Sequence, residues 1–307
     1  MSDQTTAAPA GDAWTVMRLL QWTTDFFRKR GSQSPRLDAE VLLAHAMQCA
    51  RIELYTEFNT EPSDPQRQVF RDLVRRRGDG EPVAYLVGYK EFYSLRLGVT
   101  PAVLIPRPET EHLVIEALDH AKRLAGAAPQ QPLRIADVGT GSGAIAIAVA
   151  THLPAVHPAG GHVTAIDLSN DALAVAQTNA EQLGVAAAIT MVQGDLLSPL
   201  PAEPTLDLVL SNPPYVSEAE YEQLEATVRE HEPRLALVAG PQGGEVIGRL
   251  ITEAAERLVA GGQLIIELSP MIAQACADLV VADGRFGPPK FVKDLAGHRR
   301  VLSATLQ

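Results

Sequence analysis

The segment Leu133-Arg134-Ile135-Ala136-Asp137-Val138 runs straight into Gly139-Thr140-Gly141-Ser142-Gly143 and then into a helical pattern from Ala144 to His152. An apolar strand, a glycine turn and a helix in immediate succession leave few folds open, because the helix must cross back to carry the chain to a parallel neighbour. The glycines allow a tight turn and close approach of a ligand, and the helix N-terminus offers free N–H groups to a carboxylate or phosphate. The next apolar stretch, Val163 to Ile166, ends in Asp167, where a carboxylate can accept from ribose hydroxyls. This reads as a nucleoside site. Gly139-x-Gly141-x-x-Ala144 also satisfies the dinucleotide fingerprint. Two features favour S-adenosylmethionine: Asp137 precedes the glycines, where it could take an ammonium group, and an amine-binding segment lies downstream.

That segment is Ser211-Asn212-Pro213-Pro214-Tyr215, which closes the apolar run Leu206 to Leu210. Neither proline donates an N–H, and each biases the residue before it toward an extended backbone, so the strand ends stiffly with polar groups turned outward. Open α/β sheets bind ligands at this carboxyl end. If Asn212 Oδ1 and the Pro213 carbonyl accept the two N–H bonds of a planar amide or amine, positive charge growing on its nitrogen is stabilised, while Tyr215 stacks on its plane. Taken alone, Asn-Pro-Pro equally reads as turn punctuation.

The motifs together resemble the HemK/PrmC family of protein-(glutamine-N5) methyltransferases. The likeness rests on Val83-Ala84-Tyr85-Leu86-Val87-Gly88, Glu91-Phe92, Leu104-Ile105-Pro106-Arg107-Pro108-Glu109-Thr110-Glu111, the glycine loop, Asn212 to Tyr215, Glu232-Pro233 and Asp294-Leu295-Ala296-Gly297, and on Leu37 to Ala44 in the helical part. By this resemblance, Gly139, Thr140, Gly141, Ser142, Gly143 and Asp167 hold S-adenosylmethionine, Asp195 and Leu196 border its adenine, and Asn212 stands between cofactor and substrate. Asn212, Pro213, Pro214 and Tyr215 receive the substrate glutamine, with Arg107 and Glu109 at the mouth of the site; Asn212, Pro213 and Tyr215 are the expected catalytic residues. The implied substrates are class I peptide chain release factors at their Gly-Gly-Gln tip. The alternatives are a ribosomal-protein glutamine, DNA adenine, or a non-catalytic nucleoside-binding module that docks on translation factors. Leu196, where relatives often carry an aromatic residue, and Ser269-Pro270-Met271 depart from the family pattern.

Strands alternating with helices after Glu109 predict a Rossmann-like doubly wound α/β methyltransferase domain over residues 106–307. The expected strands are 133–138, 163–167, 188–193, 206–211 and 263–268, followed by a terminal hairpin. Ahead of it, apolar residues at helical spacing predict a small helical bundle over residues 14–85, with Asp64 as a helix N-cap, and a hairpin linker over 86–105 built from Glu91–Val99 and Val103–Ile105; residues 1–13 read as a disordered tail. The helical part is expected to select the substrate protein.

Charge is uneven. Residues 1–100 hold 13 Lys/Arg and 13 Asp/Glu, so the net charge of −11 falls wholly on the remainder, which argues against a nucleic-acid substrate. Arg75-Arg76-Arg77 reads as a solvated last helical turn. The eight histidines show no metal-ligand spacing, His157 and His162 are expected to be exposed in a Pro-Gly loop, and no metal is predicted. Two cysteines, Cys49 and Cys276, read as small buried hydrophobes. With no apolar run long enough to span a membrane and no basic, apolar leader pattern, a cytoplasmic monomer with no membrane partner is expected.

Overall fold

Thr15 starts the first helix by accepting the N–H of Arg18, and α1 (Val16–Lys29) then turns Val16, Leu20 and Phe27 inward against α2 (Pro35–Met47). The computed structural model describes residues 13–127 and 130–307. Residues 1–12 of the expected tail lie outside the described residues. The chain divides into two compact units, the first ending at Val87 and the second starting at Gly88.

The first unit continues through α3 (Glu53–Thr56), α4 (Asp64–Gly78) and α5 (Val83–Val87). Its core joins Leu42, Leu43, Leu54, Phe70 and Leu73 to the α1 face, each fully buried side chain contributing about 1.5–3 kcal/mol. Ser63, not Asp64, caps α4: Ser63 and Gln66 close a reciprocal capping box, and Asp64 is already inside the helix. Arg77 is not solvated. It donates to buried Asp38 at 2.9 Å, while Arg75 and Arg76 pair with Asp72 and Glu81.

The second unit opens with a hairpin, β1 (Tyr89–Phe92) and β2 (Leu95–Gly98), whose two turn residues Tyr93 and Ser94 both have positive φ. That is the mirror-image turn that matches strand twist. Val103–Ile105 forms no strand. The hairpin is fastened by Asn179, whose side chain accepts Gly98 N–H at 2.7 Å and donates to the Gly98 and Ser142 carbonyls at 3.0 and 2.8 Å.

Helix α6 (Glu111–Ala127) precedes β3 (Leu133–Val138), α7 (Ala144–Val156), β4 (Gly161–Asp167), α8 (Asn170–Gln182), β5 (Ile189–Gln193) and β6 (Leu206–Ser211). Then come β7 (Val216–Ser217), α9 (Glu218–Tyr221), α10 (Ala226–His231), β8 (Val238–Gly240), α11 (Glu245–Arg257), β9 (Leu258–Glu267), α12 (Ala273–Asp283), β10 (Lys290–Lys293) and β11 (Arg299–Thr305). The seven-stranded sheet has the order β10-β11-β9-β6-β3-β4-β5, parallel except for β11, which runs against both neighbours. One face packs Ile135, Val163 and Leu208 against α6 and α7; the other packs Val138, Val209 and Leu264 against α11 and α12. Covering both faces is why these strands read as near-continuous apolar runs. Chain order reverses between β3 and β6, which puts the ligand crevice beyond their carboxyl ends. Ser211 locks those ends by donating to the Val138 carbonyl at 2.7 Å.

His157 is a correction. It is fully buried at the end of α7, where its backbone N–H donates to the Leu153 carbonyl and its own carbonyl accepts the Gly160 N–H, and its ring nitrogens have no partner among the described residues. His162 is exposed. Cys276 is buried and Cys49 only partly so.

Candidate active site

Beyond β3, Gly139, Gly141 and Gly143 all have positive φ, at 72°, 56° and 81°, so the loop follows a path that side chains disfavour. A Cβ on Gly143 would lie 2.8 Å from Ile147 Cδ1, whereas one on Gly141 meets nothing within 4 Å. The loop is held from below by Asp137. One carboxylate oxygen accepts the Thr140 hydroxyl at 2.6 Å and the Ala146 N–H at 3.0 Å, and the other has no partner. Burial pushes Asp137 up to about 7, against the pull of those two bonds. The sequence reading put Asp137 within reach of a ligand's ammonium group. It lines neither of the two cavities described below, and its carboxylate fixes the loop to the first turn of α7.

Asp167, at the end of β4, accepts Gly141 N–H at 2.8 Å and Ser169 N–H at 2.9 Å. Asp195 accepts from Arg249 at 2.7 Å, and Leu196 beside it is held at a φ of 51°. These residues line a cavity of about 390 Å³ together with Gly139, Thr140, Gly141, Ser142, Arg107, Asn212 and Pro214. Its volume suits a small cofactor.

A second cavity of about 210 Å³ is lined by Pro213, Tyr215, Leu224 and Val228, and shares Leu104, Arg107, Asn212 and Ala236 with the first. Asn212 donates through Nδ2 to Thr110 Oγ1 at 3.2 Å, which leaves Oδ1 as its free acceptor. No hydrogen bond among the described residues occupies the Pro213 carbonyl. Arg107 is positioned by buried Glu232, which accepts from it at 2.6 Å and from the Ile105 N–H at 3.1 Å. Tyr215 is pushed up to about 12, chiefly by burial with Glu267 adding, so its phenol stays protonated.

Of the sequence-predicted site residues, Gly143 and Glu109 line neither cavity. Gly143 shapes the loop from within. Thr110, Glu232 and Arg249 were missed as partners, though Thr110 and Glu232 stand inside quoted motifs. Among the described residues no cluster of three or more His, Cys, Asp or Glu could hold a metal ion, and no helix is long and apolar enough to cross a membrane.

The catalytic domain of hMettl16, solved with a 3′UTR hairpin, shares the fold at a TM-score of 0.51 and 17% identity, over 70% of this chain and 77% of its own. Residues 18–88 match the PrmC N-terminal domain and residues 114–236 the methyltransferase small domain. The release factor glutamine methyltransferase of Rhodopirellula baltica is 55% identical over 94% of this chain and 96% of its own. That of Moorella thermoacetica is 43% identical over 89% and 92%, and that of Escherichia coli 42% over 78% and 80%. With both parts of the chain matched and near full-length identity at this level, the chain belongs to the release factor glutamine methyltransferase family.

Proposed function

We propose that this chain methylates the side-chain amide nitrogen of the glutamine in the Gly-Gly-Gln motif of class I release factors, in the cytoplasm, with S-adenosylmethionine as donor. The observation that carries this reading is that Asn212 lines both cavities, where the space assigned to the cofactor meets the space assigned to the substrate.

The residues of the larger cavity fit the cofactor. The positive-φ glycine loop brings bare backbone to its wall, Asp167 has acceptor capacity left for ribose hydroxyls, and Asp195 and Leu196 border the space assigned to adenine. When bound, S-adenosylmethionine supplies an electrophilic methyl group on a sulfonium. In the smaller cavity Asn212 Oδ1 and the Pro213 carbonyl accept the two amide N–H bonds of the glutamine, which stabilises positive charge on nitrogen and aims its lone pair. Tyr215 flanks the amide plane as a neutral ring, Pro214 stiffens the turn, and Arg107, held by Glu232, lines the opening between the cavities. Glu109 lines neither cavity and acts at the mouth through its charge. The surplus proton leaves to solvent after transfer.

The helical region, residues 14–85, selects the release factor. Its exposed Trp22, stacked on Phe26 at 5.4 Å, and exposed Ile52 and Tyr55 supply apolar surface for a protein partner.

Mass spectrometry of a purified release factor after incubation with this chain and S-adenosylmethionine is expected to place one methyl on the Gly-Gly-Gln glutamine. Asn212→Ala is expected to lower kcat about a hundredfold or more while cofactor binding persists. A methyl elsewhere, or full turnover in Asn212→Ala, overturns the reading.

A further inference from the structure

Four residues line both cavities: Leu104, Arg107, Asn212 and Ala236. They come from three stretches of chain, and hydrogen bonds join those stretches into a closed ring around the opening. Asn212 Nδ2 donates to Thr110 Oγ1 at 3.2 Å, and the Thr110 N–H donates to the Arg107 carbonyl at 3.1 Å. Arg107 in turn donates through Nη2 to Glu232 Oε1 at 2.6 Å, while Glu232 Oε2 accepts the Ile105 N–H at 3.1 Å. From Glu232 the chain passes Ala236 to Leu237, whose carbonyl accepts the Val216 N–H at 2.9 Å, and Val216 leads back through Tyr215, Pro214 and Pro213 to Asn212. Glu232 itself lines neither cavity, so it is not placed to touch cofactor or substrate.

The link at Glu232 is the strongest in the ring and the hardest to substitute. Both partners of its bond to Arg107 are charged, and the Glu232 side chain is only 2% exposed. Hydrogen bonds of that kind are about twice as strong as neutral ones, and a buried carboxylate stripped of its partner is strongly disfavoured. Its two oxygens serve two donors on one strap, Ile105 and Arg107, which fixes the strap in both position and direction. An amide in the same place accepts at one oxygen and turns N–H groups toward the other donor. The strap then keeps one anchor and pivots on it, carrying the Arg107 carbonyl, Thr110 and Asn212.

We propose that Glu232 is a positioning residue that acts through Arg107 and Thr110 to fix Asn212 at the opening between the two cavities. This rests on the reading that Asn212 receives the substrate amide there. Methyl transfer needs the amide nitrogen about 3–3.5 Å from the methyl carbon and in line with the bond that breaks, so a shift of about 1 Å at Asn212 costs about a hundredfold in rate. The effect of Glu232 therefore belongs to turnover and not to the binding of either ligand.

The test compares the full chain with Glu232→Gln, Glu232→Asp, Asn212→Ala and the double variant Glu232→Gln/Asn212→Ala, on an intact release factor with S-adenosylmethionine. Glu232→Gln is expected to lower kcat about tenfold to a hundredfold with both KM values little changed. Glu232→Asp keeps the charge but withdraws it by one methylene from donors that it must meet together, and its kcat is expected to fall in the same way. Added to Asn212→Ala, Glu232→Gln is expected to cost no more than about twofold further, because two residues on one path are not additive, whereas a general loosening of the fold would cost as much in that background as in the parent. In the free protein, the side-chain amide resonances of Asn212 are expected to move in Glu232→Gln, a readout independent of turnover. A parent-like kcat in folded Glu232→Gln or Glu232→Asp, an undiminished effect of Glu232→Gln in the Asn212→Ala background, or unmoved Asn212 resonances overturn the inference. Full activity in Asn212→Ala instead overturns the reading beneath it.

Discussion

Asp167→Ala probes the cofactor end of the crevice. In the intact chain one carboxylate holds Gly141 N–H at 2.8 Å and Ser169 N–H at 2.9 Å. Its two oxygens offer about four acceptor sites, so about two remain for ribose hydroxyls. A hydrogen bond to a charged group contributes about 1.5–3 kcal/mol, so losing one such contact weakens S-adenosylmethionine binding about tenfold to 150-fold. The two freed backbone N–H groups are part-buried and close to the open crevice; at about 1 kcal/mol each, the melting temperature is expected to fall about 4–8 °C while the fold survives. Asp167→Asn keeps one accepting oxygen and should fall between parent and alanine variant in both respects. Calorimetric titration with S-adenosylmethionine, paired with thermal melts, measures the two effects separately. A folded Asp167→Ala that binds the cofactor as tightly as the parent would show that Asp167 only braces the loop and makes no contact with the ligand.

Gly143→Ala is expected to destabilise by at least about 1–2 kcal/mol from its left-handed φ, with overpacking against Ile147 and Ala176 of similar size, whereas Gly141→Ala meets nothing within 4 Å and carries the φ cost alone; melts that rank the two equally would refute the packing argument. Asp137 and Glu267 are both raised to about 7 in the fold from 3.8 and 4.5, so the stability they contribute is full below the lower values and is lost as pH rises to about 7, at about 1.4 kcal/mol per pH unit for each group. Asp283 and Asp294 are held low by Arg285 and Arg300 and act with the opposite sign, losing their contribution as pH falls. Melting temperature is therefore expected to fall from mildly acidic to mildly alkaline pH, and Asp137→Asn and Glu267→Gln should each flatten that slope; a slope unchanged in both would refute the burial argument.

What could be read ahead of the structure was what lies close together along the chain. The central strands announced themselves because both faces of the sheet are covered, and the glycine loop and Asn212–Tyr215 each sit within one short stretch. Pairings between distant residues left no local signal: Arg107 finds Glu232 across 125 positions, and Arg249 finds Asp195 across 54. Local rules that permit two answers also failed. Ser63 and Asp64 are both competent caps, and the capping box with Gln66 decided between them. The turn at Tyr93–Ser94 carries none of the glycine or asparagine that marks its type, so the hairpin was placed but its boundaries were not. Arg77 looked like the exposed end of a basic run because its partner, Asp38, is on another helix.

Asn179 looks unremarkable in the sequence, a polar residue near the end of an ordinary helix, yet it clasps the hairpin with one hand and the glycine loop with the other. Its amide uses both of its chemical ends, so no residue that only donates or only accepts can replace it. The hairpin and the cofactor loop are therefore not independent modules that recombination could shuffle, and any lineage that reshapes one must carry a matching change in the other. A position with no contact to the chemistry thus sets how freely this architecture can diverge.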